Sequence, residues 1–203
     1  MNDMLASIVC DTPCCQGVSS LATTELKSGI TTGASATAAA KAAVLAWQGT
    51  VASVVAIDTP TGRTLSVPVV DAEALPDGGR ATVIKDAGDD PDITHGVSVT
   101  VTVKIWPGEP AIRFAAGEGI GRVTFPGLQI PVGEPAINPT PRKMMEEAIR
   151  SLLPAGTGAV VTVSIPGGEA LARRTLNPTL GIVGGLSIIG TTGIVEPMSE
   201  EAF

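Results

Sequence analysis

Aromatic residues and histidine are scarce in this sequence: among 203 residues there are three Phe, two Trp, one His and no Tyr. A hydrophobic core must therefore be built from Ala, Val, Ile and Leu. Apolar residues make up 44% of the chain and charged residues 16%, a balance typical of a globular protein. The 24 Gly and 16 Pro predict many turns and close backbone contacts.

Clustered positive charge is also lacking. The 13 Lys and Arg are scattered along the chain, and the formal net charge is −7. Because nucleic-acid binding depends on grouped basic residues that neutralise phosphates, we expect no nucleic-acid partner. An anionic small molecule would require a site that gathers a few basic side chains locally.

The sequence has little that resembles an export signal or a membrane span. Asp3 stands where a signal peptide requires positive charge, and no apolar stretch of signal length follows before Asp11. Residues 175–195 carry no charge, but they contain Asn177, Pro178 and five Gly, which predict turns. We expect a cytoplasmic protein with no membrane partner.

The cysteines lack the paired spacing of a zinc site. Cys10, Cys14 and Cys15 are odd in number, and the single His makes a Cys3His centre only arithmetically possible. We therefore predict no bound metal. Residues 1–25 show no periodicity and are interpreted as a poorly ordered extension with free thiols.

Residues 26–203 have the pattern of one α+β domain. The Ala-rich residues 34–48 lie between Thr31-Thr-Gly33 and Gly49, which predicts a helix packed closely against a sheet. A second helix is predicted near 141–153, with Pro141 at its first position. Consecutive strands without intervening helices favour a mixed sheet. The predicted strands are residues 51–58, 64–70, 81–85, 97–105 and 160–165.

Shorter elements are predicted towards the end of the chain. Residues 169–175 predict a helical turn, and residues 180–189 predict a buried extended segment interrupted by Gly. Ser199 is a candidate helix N-cap followed by two acids, just before the sequence stops. We therefore expect a chain truncated before a further C-terminal domain, with a frayed natural end as the alternative.

Two similar turns are candidate ligand sites. Thr31, Thr32 and Gly33 precede the first helix, where free backbone N–H groups and hydroxyls favour a carboxylate or a phosphate. Thr191 and Thr192 repeat the pattern, so both turns are predicted to line one substrate site. An ordinary helix cap, or the phosphate loop of a small-molecule kinase, would explain the first turn equally well.

An acidic loop between two predicted strands, residues 85–96, is a second candidate. It starts at Lys85 and contains four carboxylates, Asp89 and Asp90 among them, and the sole histidine, His95. This composition suits a cation, a charged ligand or a proton relay, although Asp is also what turns require.

A proline-rich segment precedes the second helix and fixes polar residues in a stiff backbone. Glu134, Asn138 and Arg142 are placed between its prolines. The glycine-rich residues 117–122 do not match a dinucleotide fingerprint, because Arg122 occupies the position of the third Gly.

Four strings together carry a family resemblance. Residues 26–36, 85–96, 131–142 and 176–202 resemble, in this order, the cobalt-precorrin-5B C1-methyltransferase family of anaerobic cobalamin biosynthesis (CbiD-like proteins). Family members continue beyond the string Thr-Thr-Gly-Ile-Val-Glu-Pro, so the resemblance implies the N-terminal portion of such an enzyme.

The resemblance implies transfer of a methyl group from S-adenosylmethionine to C1 of a cobalt-containing tetrapyrrole, giving cobalt-precorrin-6A. Cobalt belongs to the substrate. The alternative is a non-catalytic tetrapyrrole-binding fragment that needs a partner chain for the missing C-terminal half. Under the enzyme hypothesis the catalytic candidates are His95, Asp89, Asp90 and Glu134. The substrate-binding candidates are Thr31, Thr32, Gly33, Lys85, Arg122, Asn138, Arg142, Thr191 and Thr192, with Lys143 as a further contact for substrate carboxylates.

Overall fold

The computed structural model describes residues 26–197. The predictions for residues 1–25, including the three cysteines, and for Ser199 lie outside the described residues. The helices are α1 (Thr32–Trp47), α2 (Pro139–Arg150) and α3 (Gly168–Ala172). The strands are β1 (Gly29–Ile30), β2 (Val54–Asp58), β3 (Thr64–Pro68), β4 (Asp71–Leu75), β5 (Gly78–Ile84), β6 (Ser98–Pro107), β7 (Ile112–Ala116), β8 (Arg122–Val123), β9 (Thr157–Ser164), β10 (Ile182–Val183) and β11 (Ile194–Val195).

A five-stranded mixed sheet in the order β4-β5-β6-β9-β7 forms the centre of the fold. All neighbours are antiparallel except β7 and β9, which run parallel. In β6 the alternating valines Val99, Val101 and Val103 are fully buried, while Thr100 and Thr102 face the other side. This alternation confirms the predicted α+β class with a mixed sheet that has one buried face.

Helix α1 packs against β4, β5 and β6 on one side and against α2 on another. The Thr31 hydroxyl caps the helix by accepting a hydrogen bond from the Ala34 N–H at 3.1 Å. Almost every Ala in α1 is fully buried, so the helix lies close to the sheet. Gly79 permits that approach, because a Cβ atom there would lie 1.9 Å from the Ala43 carbonyl oxygen. The predicted Ala-rich helix is confirmed.

Helix α2 presents one apolar face to the core. Met145 and Ile149, four residues apart, are fully buried. The helix begins at Pro139, two residues earlier than predicted, and Pro141 occupies its third position, still within the first turn where a missing N–H costs little.

Three sequence predictions need correction. Strands β4 and β7 were not predicted, because β4 carries two acids at one edge of the sheet and β7 is only half-buried at the other. Residues 180–189 do not form the predicted buried extended segment, since only Ile182–Val183 is a strand. Gly181 and Gly184 have positive φ and turn the chain, so that Val183 is 59% exposed.

Short strand pairs join the sequence strings around the central sheet. Strand β1 pairs with β11, which brings the start of α1 to the turn that precedes β11. Strand β8 pairs with β10 over a small separate apolar cluster that includes Val123 and Ile130. None of the helices in the described part of the chain combines the length and apolar character needed to cross a bilayer.

Candidate functional site

The acidic loop is fastened to the strand that leads into α1. Lys27 Nζ donates to Asp86 Oδ2 at 2.6 Å, and the Lys27 N–H donates to Asp89 Oδ2 at 2.6 Å. The Ile30 N–H donates to the Asp86 carbonyl oxygen at 2.7 Å. Gly29 is required between them, because a Cβ atom there would lie 2.0 Å from the Ala87 carbonyl carbon. The loop therefore fixes the position of the α1 N-terminus.

The Asp86 carboxyl is held ionised by these contacts. Its pKa is lowered first by the hydrogen bond from Lys27 and then by the hydrogen bond from the Gly88 N–H. Asp86 and Asp89 thus serve the attachment of the loop, and their bonds lie on the side of β1.

A second carboxylate of the loop, Asp92, has a different environment. The Lys85 side chain is 1% exposed, and its ammonium donates to Asp92 Oδ2 at 2.6 Å. Thr94 donates to Asp92 Oδ1 twice, from its N–H at 2.7 Å and from its hydroxyl at 2.6 Å. Burial by itself raises the pKa of Asp92, but the bonds from Lys85 and Thr94 outweigh it, so the net pKa is below its usual value. An ionised carboxylate is the result.

Asp92 lies in a cleft of about 400 Å³ together with the start of α1. Leu176, Leu180 and Ile189 supply apolar surface to this cleft, and each is at least 46% exposed. The remaining lining residues are mostly polar: Thr31, Thr32, Thr94, Thr175, Asn177 and Ser187, with Leu186 and Val195. A cleft of this size, with apolar walls and a few polar groups, is suited to a small molecule. We call it the α1 cleft.

The start of α1 contributes unsatisfied hydrogen-bonding groups. The first helical bond is donated by the Ser35 N–H to the Thr31 carbonyl, and Thr31 Oγ1 takes the Ala34 N–H. Within residues 26–197 the N–H groups of Thr32 and Gly33 have no partner, as at other helix N-termini. These amides and the helix dipole favour negative charge.

The second Thr-Thr-Gly turn lies directly beside the first. The Thr31 N–H donates to the Gly193 carbonyl at 3.1 Å, and a Cβ atom at Gly190 would lie 2.9 Å from Thr31 Oγ1. The side chains, however, line different clefts. Thr191 lines one of about 360 Å³ with Lys143, whereas Thr192 lines one of about 410 Å³ with Arg63.

The polar residues of the proline-rich segment hold one another. Arg142 donates to the carbonyls of Ile137 at 2.9 Å and Pro135 at 3.0 Å, approaches Glu134 at 3.4 Å, and lies 5.5 Å from the Phe114 ring centroid. These contacts fix the chain before α2.

Two further candidates lie in the same part of the chain. Asn138 is the N-cap of α2, although its side chain makes no capping bond. Arg122 donates to the Gly133 carbonyl at 3.0 Å and remains exposed.

His95 is 54% exposed and faces the loop rather than the α1 cleft. Its Nδ1 accepts a hydrogen bond from the Ala87 N–H at 3.1 Å, so the neutral ring carries its proton on Nε2. No group of three or more potential metal ligands was found within residues 26–197.

The structure therefore brings together only part of the predicted site. Thr31 and Thr32 line the α1 cleft, whereas His95, Asp89, Asp90 and Glu134 do not. Sequence reasoning missed Asp92, Thr94, Asn177 and Ser187, although all four lie within the strings that carried the family resemblance.

Comparisons with known proteins agree with that resemblance. The CbiD family model matches residues 19–197. The chain is 54% identical to the cobalt-precorrin-5B C(1)-methyltransferase of Moorella thermoacetica over 180 residues, which are 88% of this chain and 48% of the relative. It is 52% identical to the enzyme of the same name from Thermus thermophilus, with 86% of this chain and 46% of the relative covered. The chain thus spans about half the length of these curated relatives.

One solved structure has the same fold. The 1.9 Å crystal structure of the cobalamin biosynthesis protein (cbiD) from Archaeoglobus fulgidus is 32% identical, with a TM-score of 0.65. The match covers 87% of this chain and 57% of that one.

Proposed function

Because the chain belongs to the CbiD family, we propose that it is the substrate-binding portion of a cytoplasmic methyltransferase that converts cobalt-precorrin-5B to cobalt-precorrin-6A. The observation that carries this proposal is the identity of about half of all residues over 88% of the chain with relatives of that name. The family match also favours this function over the small-molecule kinase.

The proposed reaction forms a carbon–carbon bond at C1 of the macrocycle and breaks the sulfur–methyl bond of the donor. The ring carbon supplies the electron pair for the new bond, and the pair of the broken bond returns to sulfur. S-adenosylmethionine, when bound, supplies an already activated methyl group. The protein therefore has to align two reactants and exclude water, and no strong base is required.

The described residues can supply that alignment. The macrocycle carries carboxylate arms, which need exposed cations or helix N-termini. Lys143 and Arg63 are exposed and line the two clefts beside the second Thr-Thr-Gly turn. Lys85 is buried against Asp92, and Arg142 is occupied by Pro135, Ile137 and Glu134, so we assign the arms to Lys143 and Arg63 first.

A titration tests this function. The purified 203-residue chain would be titrated with a cobalt-corrinoid intermediate while the visible spectrum of the macrocycle is recorded, and separately with S-adenosylmethionine in a calorimeter. Binding of both, followed by transfer of a labelled methyl group, would support a complete site. Absence of macrocycle binding would overturn the proposal.

Matched variants locate the macrocycle. Lys143→Met and Arg63→Met should each weaken corrinoid binding about tenfold through the lost charge-assisted hydrogen bond. Lys104→Met is the control, because Lys104 is also exposed but pairs with Asp77 at the far end of β6. Equal binding by all three variants would remove the assignment of the arms.

A second function is supported by the half-length match. The relatives are about twice as long as this chain, so it can act as a tetrapyrrole-binding part that needs a partner chain for catalysis. Macrocycle binding without methyl transfer, restored by adding the C-terminal half of a relative, would favour this alternative.

A further inference from the structure

The α1 cleft contains two groups of opposite preference. At its α1 end, free amides and the helix dipole favour a negative charge, and Asp92 presents an ionised carboxylate to the same cleft. A purely anionic ligand would meet Asp92, and a purely cationic ligand would meet the helix N-terminus. A ligand that carries both charges would satisfy both.

An independent observation points to a ligand at this place. Thr32 is 9% exposed and lines the α1 cleft, yet its hydroxyl has no hydrogen-bond partner within residues 26–197. Side-chain polar atoms that are fully sealed from solvent all have partners in the described chain, so the Thr32 hydroxyl must retain access to solvent. A hydroxyl that is nine-tenths buried and unpartnered is suited to receive a ligand atom.

The surroundings of Asp92 keep its charge available. Lys85 and Thr94 hold three of the lone-pair positions of the carboxylate, which leaves Oδ2 able to accept one more bond. Because the carboxylate is fixed by these partners, a ligand ammonium group would meet it without reordering.

From these three features we infer that the α1 cleft binds a zwitterionic α-amino-acid group, with its carboxylate at the Thr32 amide and hydroxyl and its ammonium at Asp92. Leu176, Leu180 and Ile189 then face the apolar remainder of the ligand. This inference rests on the proposed function, under which the ligand is the methionyl end of the methyl donor. Thr32 and Asp92 are thereby binding residues, and Lys85 and Thr94 are positioning residues.

The test uses two probes that differ in the amino-acid group. S-adenosylhomocysteine carries it and is unreactive, whereas 5′-methylthioadenosine lacks it. Thr32→Val removes the hydroxyl at nearly constant shape. Asp92→Asn removes the charge, while the amide oxygen still accepts from Lys85 and so preserves the fold. Affinities of the full chain are measured by calorimetry, with thermal melting as the check on folding.

Each variant should bind S-adenosylhomocysteine about tenfold more weakly and 5′-methylthioadenosine nearly as the parent chain does. Thr37→Val is the matched control, since Thr37 lies in the same helix but its hydroxyl donates to the Gly33 carbonyl at 2.8 Å and does not line the cleft. It should leave both affinities unchanged.

Three results would overturn the inference: unchanged S-adenosylhomocysteine binding in both variants, an equal loss for both probes, or no binding of S-adenosylhomocysteine to the parent chain. The corrinoid titration remains a separate measurement. Normal corrinoid binding alongside any of these results would reject the amino-acid site and leave the proposed function standing.

Discussion

The ammonium of Lys85 lies 2.6 Å from Oδ2 of Asp92, and the two side chains differ sharply in exposure, at 1% and 26%. Lys85 has no contact with bulk water, so its charge depends on Asp92. Asp92, in contrast, reaches the α1 cleft and also accepts two bonds from Thr94. The dependence of the pair is therefore unequal.

We predict that the two partners have unequal effects on stability. Asp92→Ala should lower the free energy of unfolding by about 3 kcal/mol, because it leaves a buried ammonium without a counter-charge. Lys85→Met should cost less, since methionine fills the buried space and Asp92 keeps Thr94 and water. Urea unfolding at pH 7 measures both. A larger loss for Lys85→Met would contradict this account.

Acid should destabilise the protein through two aspartates of the loop. The pKa values of Asp86 and Asp92 are lowered in the folded state, so their ionisation contributes stability above the unfolded pKa of about 4. That contribution is lost as pH falls through the folded values. Unfolding free energies measured from pH 6 to pH 3 should decline less steeply in the double variant Asp86→Asn/Asp92→Asn than in the parent chain. Parallel curves would show that other groups dominate.

Gly79 should be intolerant of any side chain. A Cβ atom would lie 1.9 Å from the Ala43 carbonyl oxygen, and backbone on both sides leaves no flexible group to move. We expect Gly79→Ala to cost about 3 kcal/mol through overpacking between α1 and β5. Gly49→Ala is the comparison, because Gly49 has positive φ but open space around it, and it should cost only about 1 kcal/mol. Similar losses in denaturant unfolding would argue against close α1 packing.

The Thr31 cap should have a measurable and separable contribution. Thr31→Ala removes the oxygen that accepts the Ala34 N–H and should lower stability by about 1 kcal/mol. Thr31→Ser retains that oxygen and should recover most of the loss. If serine and alanine give the same unfolding midpoint, the cap is not the source of the effect.

Much of the fold could be predicted because its elements follow local rules. The Ala-rich run with Thr31 before it and Gly49 after it defines α1, and the alternation from Val97 to Ile105 defines β6. Prediction failed where the pattern was weak. Strand β7 has little alternation and is held by pairing with β9, a strand more than forty positions along the chain.

The candidate site shows the same division. The sequence by itself determined the family resemblance, the two Thr-Thr-Gly turns and the presence of an acidic loop, because these are properties of contiguous residues. Only the tertiary structure decided that Asp92, rather than Asp89 or Asp90, lines the cleft beside Thr32. The reason is physical: Lys27 and the strand before α1 hold Asp89 on one side of the loop, and a buried lysine draws Asp92 to the other. Neither contact is visible until the chain has folded.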